Sequence, residues 1–466
     1  MLNQSLDHIT AYVSVQSLGG VSLFDGKAVV NSESVEQFKS SDEMCRSACV
    51  ELDEMGFRVE KVTPLSVRIS GPADLFTNKM GLRFERYRSV ELELGFESIS
   101  ESDPWIPTVE TGANLLDVGS DLLEGVVFPQ PVALHQHAPP SANPPAPNYH
   151  HLQVPDDIVA RLNAEPVHDD GFRGQNVRAA MIDSGFHWSH PYFRARNYNL
   201  RVALQPAGIL QDSNGHGTGE SANLLAVAPD VELFGIAMDD IIEAFQVARD
   251  DLAVQVVSNS WGSRWPTDGP NGTWDSFWSL VQAEIALCVA QGMIVLFSGG
   301  NGGMSFTASM PETISVGGVH ADEQGTLNAS DYASSFDSTR FPGQHVPEVC
   351  GLCGMQPRAI YITLPIPPRS EIDQGLGGGN FPNGDETRRD DGWGVFSGTS
   401  AACPMVAGVV ALILSKYPGE DLNGIRNRLY NATDVTMGAS AHGDAAGPGY
   451  DAATGHGLVN AQLACA

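Results

Sequence analysis

The apolar positions of this chain fall into two regimes. Near the start they alternate with polar ones. Ile9-Thr10-Ala11-Tyr12-Val13-Ser14-Val15 reads as a half-buried strand, and residues 57–62, 66–70 and 82–87 read as three more. Residues 33–55 carry a helical spacing that Gly56 ends, and 73–80 predict a second helix closed by Gly81. The order β-α-β-β-α-β over residues 1–95 is that of a small α+β unit. Cys45 and Cys49 share a face of its first helix, as two small core residues would; a metal or redox pair is the alternative.

Beyond residue 150 the apolar residues come in short, nearly continuous runs. Residues 177–182, 256–257, 294–297 and 314–316 are such runs, interrupted at Arg178 and Ser315, and each leads into Asp, Ser, Asn or Gly. Nearly continuous apolar runs suit strands covered on both faces. Helical stretches at 220–227, 276–290 and 422–430 alternate with them. The chain from 151 to 466 is therefore expected to be α/β, a doubly wound, mostly parallel sheet with helices on both faces. The longest apolar run, 405–414, follows Gly398-Thr399-Ser400 and predicts a helix capped by Thr399 or Ser400, with Pro404 in its first turn.

Two stretches fit neither regime. Residues 96–150 form a connector rich in Pro, Asp and Glu, extended over 125–132 and polyproline-like over 138–147. His135, His137, His150 and His151 flank it with no carboxylate or cysteine at ligand spacing. Residues 336–394 are dominated by Pro, Gly and charge, and predict a long surface excursion near the site. Within them Cys350-Gly351-Leu352-Cys353 is one pair without a second, which suits two buried thiols better than zinc.

Composition then narrows the function classes. With 26 basic against 56 acidic residues, a net charge of -30 excludes a phosphate-neutralising nucleic-acid binder. Seven cysteines, an odd and uneven set, favour a reducing compartment over a disulfide framework. Residues 1–8 show no basic segment leading into an apolar run, so neither a signal peptide nor a membrane span is expected. The expected location is cytoplasmic, with non-classical export left open.

The candidate chemistry sits where apolar runs stop. Asp183 ends the run 177–182 beside Gly185, and His216 stands between Gly215 and Gly217. Asn301 lies in a glycine cluster after 294–297, and Ser400 opens the last long helix. In parallel sheets functional groups gather at such strand ends. Flanking glycines let a substrate approach the backbone. A serine at a helix start has unpaired N–H groups beside its hydroxyl. The order Asp, His, Ser is one of the known orders for a hydrolytic triad.

Asp183-Ser184-Gly185, His216-Gly217-Thr218, Ser258-Asn259-Ser260-Trp261-Gly262, Gly300-Asn301-Gly302 and Gly398-Thr399-Ser400 occur in this order. With these blocks the chain resembles the subtilisin-like serine proteases, the subtilases. The resemblance implies a serine endopeptidase with Ser400 as nucleophile, His216 as general base and acid, and Asp183 holding the histidine. Asn301 would serve the oxyanion, and Ser258, Asn259, Ser260, Trp261 and Gly262 would line bound peptide. It further implies a protein or peptide substrate, no cofactor for the chemistry, and room for structural calcium. No nucleic acid or membrane partner is expected.

By the same resemblance residues 1–95 are a ferredoxin-like propeptide that is the chain's own inhibitor. Residues 96–150 hold the processing site and 151–466 the peptidase domain. Two departures stand out. Gly219-Glu220-Ser221-Ala222-Asn223 replaces the family's usual continuation after the histidine block, and Ala401-Ala402-Cys403-Pro404 replaces the one after the serine. Residues 346–350 look more like the related sedolisins, which use Glu in place of the histidine; His216 argues for the subtilases. A catalytically silent relative that binds peptides or partners is the alternative reading.

Overall fold

The structure is a computed structural model. It describes residues 8–24, 30–82, 120–129, 149–204, 212–262 and 276–466, and the strand backbones of 84–86, 98–99, 105–107 and 133–134.

The N-terminal section is built from β1 (His8–Val15), α1 (Asp42–Met55), β2 (Arg58–Val62), β3 (Val67–Pro72) and α2 (Ala73–Met80). The Ser41 side chain caps α1 by accepting from the Met44 N–H, and Gly56 ends the helix at φ 100°. The helix expected over 33–55 is thus shorter, and only a 3-10 turn, Val35–Phe38, precedes it. A larger correction concerns the last strand. Phe84–Arg86 is extended but pairs with Trp105–Pro107. The place beside β1 is taken by β4 (Leu123–Val127), giving an antiparallel sheet in the order β2-β3-β1-β4. Leu123, Val126 and Phe128 join Ile9, Ala11, Val13, Leu52 and Phe76 in one core. The expected ferredoxin-like order is therefore completed by a strand from what the sequence marks as connector.

The large sheet comprises β5 (Arg178–Asp183), β6 (Asn199–Leu204), β7 (Glu232–Ala237), β8 (Val256–Asn259), β9 (Ile294–Ser298), β10 (Ile314–Ala321), β11 (Leu327–Ala329) and β12 (Val349–Leu352). Their order is β6-β7-β5-β8-β9-β10-β11, with β12 also paired to β10. Every pairing is parallel except β10 with β11. The α/β expectation holds. The excursion 336–394 is less superficial than expected, because β12 comes from it and is wholly buried.

Helices cover both faces, and the period of two along each strand sorts the core. Ala179, Met181, Val256 and Leu296 face α3 (His216–Val227) and α6 (Thr399–Lys416). Ala180, Ile182, Val257 and Phe297 face α4 (Ile241–Gln246) and α5 (Ser276–Ala290). Among the described residues α6 alone is long and apolar enough to cross a membrane, and 89% of it is buried inside the fold. It is the central helix of the core.

Tyr12, Leu23, Phe24, Val35, Leu65 and Val127 of the N-terminal section pack into the α4–α5 face. Polar contacts flank this apolar seam. Tyr12 Oη donates to Asp240 Oδ2, the residue whose Oδ1 caps α4. Arg68 pairs with Glu243, and Lys61 reaches Asp251 at 3.7 Å.

Candidate active site

The strand order reverses at β5: β7 and β6 extend the sheet one way, β8 and β9 the other. The crevice at such a switch point, at the carboxyl ends of the strands, is where ligands bind. Asp183 is the last residue of β5 and is fully buried. Its Oδ1 lies 2.7 Å from His216 Nδ1 and also accepts from the Ser184 N–H at 2.7 Å. The carboxylate acceptor puts the proton of the neutral ring on Nδ1, so Nε2 is the basic nitrogen.

His216 is the first residue of α3, and its neighbours explain its placement. Gly215 caps the helix at φ 97°, a left-handed conformation that suits glycine. A Cβ on Gly217 would stand 2.4 Å from the Gly185 carbonyl and 2.9 Å from Asp183 Cβ, so only glycine lets β5 and α3 come this close. Asp212, which the sequence reading passed over, ties the two together. Its Oδ1 accepts from Ser184 Oγ and the Gly215 N–H at 2.9 Å each, and its Oδ2 accepts from the Thr218 N–H at 2.9 Å. Asp212-Ser213-Asn214-Gly215 directly ahead of a helix is the signal that marks it. Burial raises Asp212 to about 6 against the opposing pull of those hydrogen bonds. From the excursion, Glu371 N and Ile372 N donate to the carbonyls of Ser213 and Asn214 at 3.0 and 3.1 Å, bracing the same loop.

Burial works against a charged His216, but Asp183, followed by Glu220 and Asp212, outweighs it and raises the imidazole to about 9. Glu220 is the second residue that sequence reasoning missed. It lies one turn along α3, fully buried, with Oε1 3.9 Å from His216 Nε2. Burial raises its carboxyl to about 7.

Ser400 is the second residue of α6, in the first helical turn, where N–H groups lack intrahelical acceptors. Gly398 before it is extended, at φ 177°. Pro404 is not in the first turn as expected but is the sixth helical residue. Its missing N–H deprives the Ser400 carbonyl of a donor, and Ser260 Oγ supplies one at 2.8 Å. In return Ser400 Oγ donates to the Ser260 carbonyl at 3.1 Å. His216 Nε2 has no hydrogen-bond partner, so the serine hydroxyl is not yet bound to it. Cys403, on the same helix, is buried with its Sγ 3.6 Å from both Ser258 Oγ and the Asn259 carbonyl, so it helps fasten α6 to β8.

Asn301 follows β9. The Thr399 backbone N–H donates to its Oδ1 at 3.0 Å, and Thr399 Oγ1 lies at 3.1 Å. A backbone N–H can only donate, so the atom facing Thr399 is the amide oxygen of Asn301.

The segment 258–262 behaves differently from its neighbours. Ser258, Asn259, Ser260 and Trp261 turn their side chains into the protein: Asn259 Nδ2 donates to the Leu296 carbonyl and Trp261 Nε1 to the Ile182 carbonyl, both at 3.0 Å. The backbone of Trp261 and Gly262 pairs antiparallel with Leu134 and Ala133. That short strand also pairs with Ser98–Ile99. His135, His137 and the polyproline stretch lie outside the described residues.

Cys350 and Cys353 are both fully buried free thiols, with Sγ atoms on the Thr454 carbonyl and Tyr332 Oη at 3.4 and 3.1 Å. Cys45 is buried and Cys49 half-buried. Among the described residues no group of three or more His, Cys, Asp or Glu is placed to hold a metal ion.

Comparison with known proteins supplies the context for this geometry. Subtilisin of Bacillus pumilus is 26% identical over 327 residues, covering 66% of this chain and 97% of that protein. Subtilisin E of Bacillus subtilis (strain 168) is 27% identical over 331 residues, covering 66% of this chain and 70% of its own. In fold, the chain is similar to the crystal structure of fervidolysin from Fervidobacterium pennivorans, a keratinolytic enzyme related to subtilisin. The TM-score is 0.58 at 17% identity, over 100% of this chain and 62% of the fervidolysin chain. The subtilase family model matches residues 174–457, a span that runs from β5 with Asp183 through α3 with His216 to α6 with Ser400. With that match over more than half its length, the chain belongs to the subtilase family of peptidases.

Proposed function

We propose that this protein is a serine endopeptidase that cleaves peptide bonds through Asp183, His216 and Ser400, and that it is made as a self-inhibited zymogen. The observation that carries the first part is the buried Asp183–His216 contact of 2.7 Å at the switch point of the sheet, with Ser400 opening α6. Ser400 Oγ would attack the scissile carbonyl while His216 Nε2 takes its proton. Asp183 holds Nδ1 and stabilises the imidazolium, which then protonates the leaving amine. The oxyanion of each tetrahedral intermediate would be met by Asn301 Nδ2 and the Ser400 N–H. Water, activated by His216, would release the acyl group. A substrate would add as a strand against the backbone of Trp261–Gly262, in main-chain register rather than through the buried side chains of 258–261.

Two features support the zymogen. The N-terminal section docks on the α4–α5 face through the Tyr12–Asp240 and Arg68–Glu243 contacts. The chain at 133–134 already occupies the edge at Trp261–Gly262 where substrate would add. Since β4 is integral to the small sheet, self-cleavage is assigned after it, between residues 128 and 150.

A serine-directed fluorophosphonate, applied to wild type and Ser400→Ala after long incubation, tests both parts. Labelling and a shortened band in wild type alone are expected. An unlabelled wild type would favour the silent relative, a reading helped by the serine hydroxyl's resting bond to Ser260. Labelling without any shortening would retain the peptidase and remove the zymogen.

A further inference from the structure

A triad uses one carboxylate, yet two face the His216 imidazole. Asp183 takes Nδ1 at 2.7 Å. On the opposite side, Glu220 stands at i+4 on the same helix, buried as completely as His216 itself. Its Oε2 accepts from Asn223 Nδ2 at 2.7 Å. Its Oε1 has no hydrogen-bond partner and lies 3.9 Å from Nε2, which has none either. A buried carboxylate with an unsatisfied oxygen is costly and is not retained for stability alone. At this range an ionised carboxylate favours the protonated ring. The other titratable groups facing the pair are Asp183 from the end of β5, Asp212 from the loop ahead of α3, and Cys403 from α6. The Cys403 thiol stays protonated, pushed up to about 12 by burial, so it adds no charge near neutrality.

Resting on the peptidase reading above, we propose that Glu220 is a positioning residue that holds a proton on His216 Nε2 and so sets the pH above which the base becomes available to Ser400. Two details of the site bear on this: Nε2 makes no bond to the serine, and Ser400 Oγ donates to the Ser260 carbonyl. A protonated Nε2 has no lone pair with which to accept the serine proton. Only after it loses its proton can it draw Ser400 Oγ away from Ser260. The expected signature is activity that rises with pH on the alkaline side of neutrality, with an acid limb governed by His216.

Imidazole 15N NMR on the full chain carrying Ser400→Ala follows His216 without turnover. Adding Glu220→Gln is expected to lower the His216 titration midpoint by about one pH unit. Glu220→Leu, which removes the charge and its need for partners, is expected to do the same and covers the case in which Gln disturbs folding. An unchanged midpoint in a folded variant overturns the proposal. In the active enzyme, Glu220→Gln should shift the acid limb of kcat/KM downward and raise kcat/KM at pH 7 roughly ten-fold. A purely structural role would instead lower kcat/KM at every pH and leave the limb in place. If wild type shows no Ser400-dependent turnover, the peptidase reading fails, while the NMR midpoint still decides the role of Glu220.

Discussion

Two of the buried charge clusters among the described residues are built on opposite plans. On the α4–α5 face, Arg249 Nη1 meets Glu284 Oε2 at 2.5 Å, and its Nε and Nη2 each meet an Asp250 oxygen at 2.7 Å. Gln246 Nε2 donates to Glu284 Oε1 at 2.8 Å. Each charged atom of Arg249 and Glu284 named here has a partner, and the buried atom left without one beside them, Gln246 Oε1, carries no charge. Across the sheet, at the ends of β5 and α3, Asp183 Oδ2, His216 Nε2 and Glu220 Oε1 are buried and have none. A cluster whose charges are all paired has no charge left to offer a ligand and serves the fold. An unsaturated one keeps lone pairs and protons for a reaction, and the rest of the fold must hold it in place.

The largest effect expected from this contrast is in the unsaturated cluster. Ser400→Ala or Asp183→Asn should lower kcat/KM by roughly 10⁴-fold or more, while the melting temperature stays near that of the parent. Steady-state cleavage of a fluorogenic peptide and a thermal scan check the pair. A large loss of stability without loss of turnover per folded molecule would break the contrast.

The saturated cluster should respond the other way. Arg249→Met leaves Glu284 buried without its cation, for which about 3–5 kcal/mol of destabilisation is expected. Denaturant unfolding on the Ser400→Ala background, which is free of self-digestion, measures it. Adding Glu284→Leu should recover most of the loss, because the pair can be replaced by apolar contacts. The active-site titrant count and kcat of the folded Arg249→Met fraction should match wild type.

Asn301 lies between the two plans. Its Oδ1 is committed to Thr399, a structural duty, and in the mechanism proposed above its Nδ2 serves the oxyanion. Asn301→Ala is expected to lower kcat by about 10²–10³-fold with little change in KM, the pattern of an interaction made only in the transition state. An equal rise in KM at constant kcat would mean that the amide binds ground-state substrate instead.

Much of the site was legible because its residues sit at interruptions in the apolar pattern. Asp183 ends β5, His216 begins α3, Ser400 lies in the first turn of α6 and Asn301 in the loop after β9, each within two residues of a glycine, and the close approach of Gly217 to Gly185 gives a physical reason for one of these. Glu220 was not legible. Glu220 and Ser221 are polar positions in a stretch whose pattern predicts only a helix, and their full burial comes from the tertiary packing of α3. The fourth strand of the small sheet was misplaced for a related reason. Residues 82–87 and 123–127 both suit an extended chain locally, and the choice is made by what fits beside β1, a contact between residues far apart in sequence. The buried β12 likewise hid in a stretch whose Pro and Gly content reads as loop.

Ser260 offers the finest test of how the unsaturated cluster is held. Pro404 removes one rung from α6, leaving the Ser400 carbonyl to Ser260 Oγ at 2.8 Å. Ser260→Ala therefore takes the Oγ donor from the buried Ser400 carbonyl, and about 1–3 kcal/mol of stability should be lost. The backbone carbonyl of Ser260, which receives the Ser400 hydroxyl at 3.1 Å, is unaffected by the substitution. The resting position of Oγ should thus survive, and kcat should fall by less than for Asn301→Ala. The double variant Ser260→Ala, Pro404→Ala restores a helical N–H to the Ser400 carbonyl and should return the stability that Ser260→Ala removes. If Pro404→Ala rescues nothing, the hydroxyl of Ser260 acts on the cleft itself rather than on the broken rung of the helix.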